Sequence, residues 1–157
     1  MSFIRQVSRT LDDEHRANLE LLGKVESACV RGDLRDPTLL GALVRQLEVD
    51  ITRHFDFEEQ ALFPRLAEAG DGDMAALLAE EHAAIRMVAE EVMPLARAAV
   101  AGALDKAAAA QLKRVVLELV ERQVAHIQKE TMALLPMLDD LLDDETDREL
   151  AFAYCAA

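Results

Sequence analysis

Apolar side chains recur at intervals of three and four residues along most of this chain. The spacing is clearest in two segments: Leu39, Leu40, Leu43, Val44, Leu47 and Ile51 in the first, and Leu112, Val115, Val116, Leu119 and Val120 in the second. Such intervals place the apolar residues on one face of an α-helix. No segment shows the pattern of a strand, so the sequence predicts an all-α protein.

Capping and turn-forming residues set the expected helix boundaries. The candidate N-caps are Thr10, Asp36 (followed by Pro37), the Asp-Gly-Asp segment at 71–73, and Asp105. The expected helices span residues 10–31, 36–66, 73–102 and 106–142, with a short tail helix at about 145–154. Four long helices with short connections predict an up-down-up-down four-helix bundle, with the C-terminal helix packed on one end.

Two stretches of the chain share the pattern H-x-x-x-E-x-x-A-L-x-P-x-L. One begins at His54 and the other at His126, an offset of 72 residues. A shorter pair, DDEHRA around His15 and AEEHAA around His82, is offset by 67 residues. Each half of the chain is therefore a helix pair with the same polar residues, and two such pairs predict a pseudo-twofold axis on which matched side chains converge.

The four histidines and two motif glutamates are the candidate site residues. One histidine falls on each long helix, and residues four apart share a helix face. The candidate ligands are His15, His54, Glu58, His82, His126 and Glu130. Imidazole and carboxylate suit iron, and six ligands exceed the four of a tetrahedral zinc. Two metals fit better, each with two histidines and both bridged by Glu58 and Glu130. An oxo or hydroxo bridge would then leave one open position on each metal.

A bland interpretation stands beside the metal site. An inward histidine is often a core residue satisfied by a neighbour, and a His–Glu pair four residues apart is often a surface hydrogen bond. Six polar groups in one bundle core, however, need partners, because burying them unpaired costs several kcal/mol.

The shared prolines, Pro64 and Pro136, lie six residues after the motif glutamates. Each removes a helical hydrogen bond. Either a kink there closes the bundle end over the metal site, or the proline marks a plain terminus or bend. Pro94, in the third helix, has no counterpart in the other half.

Composition and charge narrow the possible partners. The chain has 157 residues and a formal net charge of −13, which disfavours nucleic acids and anionic membranes. We expect a single domain over 1–157, with its bundle core at about 8–142. No apolar run approaches the roughly 20 residues of a membrane span, and no secretion signal is evident. Cys29 and Cys155 form no disulfide framework, so we expect reduced thiols and a cytoplasmic protein.

The order H, H-x-x-x-E, H, H-x-x-x-E on four helices resembles the hemerythrin-like, or HHE cation-binding, family. The resemblance covers roughly residues 8–142 and implies a four-helix bundle that holds a non-haem di-iron centre. It implies terminal ligands at the four histidines and bridges at Glu58 and Glu130. Ferritin-like bundles use Glu-x-x-His, and none of the four histidines here has that neighbour.

Two positions depart from the oxygen-carrying members of that family. Arg86 stands where the carriers have a further histidine, and the last motif has Glu130 where they have an aspartate at longer spacing. Both irons would therefore keep an open site, as in the di-iron proteins of nitric oxide response and iron–sulfur repair. Those often carry an additional N-terminal cysteine segment, which is missing here. Asp50, Glu14 and Glu81 are expected at the surface or as hydrogen-bond partners of the ligands.

Three functions follow as hypotheses. The first is a di-iron protein that binds or reduces a small oxidant, namely O₂, NO or peroxide (H₂O₂). Mixed manganese–iron occupancy also suits the ligand set. The second is an iron sensor or donor in nitrosative or oxidative stress, and the third is a metal-free interaction bundle. The sequence leaves open whether the role is oxidase- or peroxidase-type catalysis, binding or sensing, and it does not specify an oligomeric state.

Overall fold

A computed structural model describes residues 2–157, which form five helices and no strand. The helices are α1 (Gln6–Val30), α2 (residues 37–68), α3 (Gly72–Val100), α4 (residues 106–141) and α5 (Asp144–Ala156). Successive long helices pack side by side, α4 closes on α1, and α5 packs on α1. The predicted all-α bundle with a short C-terminal helix is confirmed.

Two apolar clusters fill the interior, one at each end of the bundle. The first joins the C-terminal halves of α1 and α3 with the N-terminal halves of α2 and α4. The second joins the opposite ends of these helices with α5. Since neighbouring helices contribute opposite ends to each cluster, they run antiparallel. The predicted histidines and glutamates lie along each helix between the segments that build the two clusters.

Both motif helices contain a π-helical turn that starts at the motif glutamate. These turns are Glu58–Leu62 in α2 and Glu130–Leu134 in α4. Phe63 N–H donates to the Glu58 carbonyl, and Leu135 N–H to that of Glu130, each five residues back. The wider turn moves away the backbone carbonyl with which the following proline ring would otherwise clash.

The shared prolines therefore do not end their helices. Past Pro64, α2 continues to Glu68, and past Pro136, α4 continues to Leu141. Pro94 likewise lies inside α3, which runs on to Val100. A terminus at these prolines is excluded, and the irregularity is a π-turn beside each glutamate.

The expected start of the first helix at Thr10 was wrong. The helix begins at Gln6, after a flanking Arg5 whose side chain makes no capping bond. The carboxylate of Asp147, on α5, accepts the backbone N–H groups of Gln6 (2.8 Å) and Val7 (2.9 Å). Because this cap lies far along the chain, no local sequence signal could indicate it.

Other boundaries follow the predicted capping residues. Asp36 caps α2 through Thr38 N–H, and Asp105 caps α4 through Ala108 N–H. Gly70, which follows α2, has a φ of +97°, a left-handed conformation that glycine adopts without strain. Asp71 flanks α3, but its side chain makes no capping bond.

None of the helices described in residues 2–157 is long and apolar enough to cross a membrane.

We expect Asp147→Ala to lower the free energy of unfolding by about 2 kcal/mol, because two helix N–H groups lose a charged acceptor. Chemical denaturation measures the loss. Asp144→Ala is the matched control, since Asp144 pairs with Arg5 while remaining largely exposed, and such pairs contribute little. Equal effects of the two substitutions would contradict long-range capping by Asp147.

Candidate metal centre

The structure brings all six predicted site residues together in the middle of the bundle. We call His15, His54, Glu58, His82, His126 and Glu130 the polar layer. Each of the six side chains is buried, with at most 4% of its surface exposed. Their donor atoms form two groups, each within 4.8 Å: His15, His54, Glu58 and Glu130 in one, and Glu58, His82, His126 and Glu130 in the other. The two glutamates belong to both groups.

The Nε2 atoms of the four histidines face the two carboxylates. In the first group, His15 Nε2 lies 3.1 Å from Glu130 Oε1, and His54 Nε2 lies 3.3 Å from Glu58 Oε1. In the second, His82 Nε2 lies 3.3 Å from Glu58 Oε1, and His126 Nε2 lies 3.1 Å from Glu130 Oε2. The layer thus has the pseudo-twofold arrangement that the repeat predicted.

Several of these atoms have no hydrogen-bond partner although they are buried. They are Glu58 Oε1 and Oε2, Glu130 Oε2, His82 Nε2 and His126 Nε2. A buried polar atom without a partner costs roughly 1–3 kcal/mol, so the layer is poorly satisfied by protein groups alone. Nitrogen lone pairs and carboxylate oxygens that converge on common points fit metal ions. The buried cluster therefore indicates a metal-binding site.

The outer nitrogen of each histidine meets a side chain from the neighbouring helix. Glu81 Oε1 lies 2.8 Å from His126 Nδ1, and Glu59 Oε2 lies 2.7 Å from His82 Nδ1. Thr131 Oγ1 lies 2.9 Å from His15 Nδ1. We call Glu14, Glu59, Glu81 and Thr131 the outer partners. Such contacts fix the orientation of a ligand imidazole and raise its basicity.

Glu14 makes the longest of these contacts, with its Oε2 lying 3.4 Å from His54 Nδ1. The same carboxylate accepts a hydrogen bond from the hydroxyl of Tyr154, on α5, at 2.6 Å. Burial raises the pKa of Tyr154 above its ordinary value, and the Glu14 carboxylate adds to that effect. The phenol therefore stays protonated and donates to Glu14, so the tail helix reaches the polar layer through one carboxylate.

A basic side chain lies against each outer carboxylate. Arg86 Nη1 donates to Glu59 at 2.7 Å, Lys129 pairs with Glu81, and Arg53 lies 3.6 Å from Glu14. Arg86 also donates to Asp56 at 3.1 Å. Arg86, which replaces a histidine expected in oxygen carriers, is thus directed to the outer partner of His82.

The polar layer shifts the pKa values of its own members. Burial alone would lower the pKa of His82, but hydrogen bonds and charge from Glu130 and Glu58 raise it to about 9. The pKa values of His54 and His126 are also raised despite burial, by Glu58 and Glu130. Burial would raise the pKa of Glu130, but its histidine neighbours hold it well below the usual range. Without a metal, the layer therefore retains protons.

Sequence reasoning located the polar layer but not all of its surroundings. Glu14 and Glu81, expected as hydrogen-bond partners or surface residues, contact histidines on the neighbouring helix. Asp50, the other candidate, is exposed and belongs to a π-turn, Gln46–Asp50. Glu59 and Thr131 were missed. Their signal was present, since each directly follows a motif glutamate, as Glu14 and Glu81 directly precede a histidine.

A small cavity adjoins the polar layer. Its lining includes His15, His54, His126 and Glu130 together with apolar side chains of the first core cluster. The centre of a water-sized molecule can occupy about 10 Å³ there, which is room for one such molecule.

Comparison with known proteins agrees with this geometry. A family model described as Hemerythrin HHE cation binding domain matches residues 6–138. No curated protein matches the chain significantly.

The protonated histidines predict how the stability of the metal-free protein depends on pH. The contribution of His82 is complete below its ordinary pKa of 6.5 and is lost as pH rises through about 9. We therefore expect the unfolding free energy of chelator-treated protein to fall by roughly 1–3 kcal/mol between those pH values. Urea titrations at several pH values measure the slope. His82→Leu should reduce it, and stability that rises over this window would contradict the assignment.

Proposed function

Because this chain belongs to the hemerythrin HHE cation-binding family, we propose that it is a non-haem di-iron protein that binds or reacts with a small oxidant. Hemerythrin domains bind small gases such as O₂. The observation that carries the proposal is the pair of donor groups sharing Glu58 and Glu130. Two separate metals would need two such groups, whereas one metal would leave half of the buried donors without a partner.

Each residue of the polar layer has a role in this proposal. His15 and His54 hold one iron, His82 and His126 hold the other, and Glu58 and Glu130 bridge them. The carboxylates of Glu14, Glu59 and Glu81 keep the outer nitrogens of three ligands protonated, so that Nε2 carries the lone pair. The pair of irons, with an oxo or hydroxo bridge, would supply Lewis acidity and electrons to O₂, NO or peroxide.

The surrounding protein restricts access to the site. Apolar clusters lie at both ends of the polar layer, and the adjoining cavity has room for one water-sized molecule. The dry setting strengthens electrostatic interactions and limits competing water. Such a site accepts ligands of very few atoms, which favours O₂, NO or peroxide over organic substrates.

Free thiols suggest a reducing compartment. Neither Cys29, which is buried, nor Cys155, which is exposed, forms a disulfide. We place the protein in the cytoplasm on this basis.

A series of glutamate-to-glutamine substitutions tests the centre. We expect about two irons per chain after reconstitution of the unsubstituted protein. Glu58→Gln should hold fewer than about one and lose the visible absorption of the pair, because a bridging carboxylate is removed. Glu59→Gln should retain the centre with roughly 10- to 100-fold weaker metal affinity, and exposed Glu80→Gln serves as the control.

Metal analysis, with iron and manganese quantified separately, and absorption spectra are the measurements. Full iron content in Glu58→Gln would contradict the bridging role. Reconstituted protein without iron would favour the metal-free bundle, in which replacing His54 and Glu58 by apolar residues should leave the fold as stable or more stable.

A second candidate function is iron donation or sensing, and the partner of His15 favours it. Three of the histidines face carboxylates at Nδ1, but His15 faces the hydroxyl of Thr131. A neutral partner makes an imidazole less basic than a carboxylate does. The iron held by His15 and His54 would therefore be bound less tightly than its neighbour, as a donor requires.

Stopped-flow mixing separates the two functions. If the protein is a donor, NO should trigger iron release to a chelator in two phases, and Thr131→Glu should slow the fast phase. If the protein is an oxidant-binding or reducing protein, O₂, NO or peroxide should change the diferrous spectrum while iron is retained. Release at a single rate that is indifferent to Thr131→Glu would contradict the donor function.

A further inference from the structure

Two glutamines form a buried amide pair beside the polar layer. Gln46 on α2 and Gln123 on α4 are 1% and 2% exposed. Gln46 Nε2 donates to Gln123 Oε1 at 3.0 Å. The remaining amide atoms, Gln46 Oε1 and Gln123 Nε2, have no partner. Each unpartnered buried group destabilises the fold, so the pair is costly where leucines would pack.

Gln123 has a defined place relative to the candidate metal centre. It lies three residues before His126, on the same helix face. It also lines the small cavity that adjoins His15, His54 and Glu130. A donor N–H group without a partner is therefore present in the one-molecule space next to the polar layer.

The repeat shows that this amide is specific to one half of the chain. The offset of 72 residues that relates His54 to His126 relates Ile51 to Gln123. Both Ile51 and Gln123 line the cavity. One wall of the cavity is thus apolar and the equivalent wall carries an amide, so a molecule inside meets a hydrogen-bond donor from one side.

Gln46 holds the amide in this orientation. It starts the π-turn Gln46–Asp50, where Ile51 N–H donates to the Gln46 carbonyl. The turn belongs to the same helix face as Leu43 and Leu47, which are buried in the first core cluster. Because Gln46 occupies the carbonyl of Gln123, the Nε2 group of Gln123 remains free to donate elsewhere.

We propose that Gln123, held by Gln46, is a specificity-determining residue that donates a hydrogen bond to a small ligand in this cavity. The ligand class is a molecule of two or three heavy atoms that ends in a hydrogen-bond acceptor, such as azide or peroxide. An amide donor favours such ligands over apolar gases of the same size. The inference rests on the proposed di-iron function, because the metals would hold the ligand's other end.

Azide titration of the reconstituted diferric protein tests the role of the amide. Gln123→Leu and Gln46→Leu are compared with Ile51→Leu, which changes the equivalent wall without removing a donor. We expect Gln123→Leu to weaken azide binding roughly 5- to 30-fold per iron site, Gln46→Leu to have a smaller effect, and Ile51→Leu to have almost none. The azide stretching frequency should shift in D₂O for the unsubstituted protein and not for Gln123→Leu.

The stability of the metal-free variants provides a second readout. If Gln123 serves a ligand, replacing both glutamines by leucine should leave the fold as stable or more stable, because two unpartnered amide atoms are removed. If the pair is merely structural, the double variant should be destabilised and azide binding should be unaffected.

The outcomes separate the inference from the function on which it rests. Iron-loaded Gln123→Leu with unchanged azide affinity and an unchanged D₂O shift would overturn the inference alone. Unsubstituted protein that holds no iron would overturn both. If Gln123→Leu does not fold, Gln123→Met and Gln46→Leu carry the same comparison, and loss of the D₂O shift in either supports the amide contact.

Discussion

The structure depends on one constraint: six polar side chains are buried in the centre of a helical bundle and cannot satisfy one another. Carboxylate oxygens of Glu58 and Nε2 atoms of His82 and His126 have no hydrogen-bond partner. Protons that stay on the histidines reduce the mutual repulsion of the two glutamates, which is why the pKa of His82 rises to about 9. Metal ions at the two shared foci would satisfy the same charges more completely, because each ion accepts several donors at once.

The rest of the fold places and orients these groups. Apolar clusters at both ends of the bundle supply the hydrophobic burial that offsets the cost of a polar centre. The residue beside each metal-site side chain in sequence contacts a histidine on the next helix, so Glu14 reaches His54 and Glu59 reaches His82. The same helix geometry serves both purposes, since adjacent residues point about 100° apart and thus face the interior and the neighbouring helix respectively.

The sequence predicted whatever depends on local pattern. Helical periodicity gave the bundle, Asp36 and Asp105 gave helix starts, and the repeated motif gave the six residues of the polar layer, which the structure places together. It failed where distant segments meet. The start of α1 depends on Asp147, on the other side of the fold. The π-turns and the pairing of Gln46 with Gln123 likewise depend on packing between helices, and single-helix periodicity contains no information about them.

Departures from the internal repeat carry the most functional information. A perfect twofold arrangement would make the two metal positions equivalent, and an equivalent pair has no preferred side for a ligand. The chain breaks the symmetry at two matched pairs of positions: Thr131 corresponds to Glu59, and Gln123 corresponds to Ile51. Both changes concern side chains around the six candidate ligands and not the ligands themselves, so metal binding and asymmetry can be set independently. The hydroxyl beside His15 weakens one histidine, while the amide gives one wall of the adjoining cavity a donor. Together these two changes would make the two irons unequal in affinity and in ligand access, which a small-molecule sensor or an oxidant-reducing centre requires and a purely structural metal pair does not.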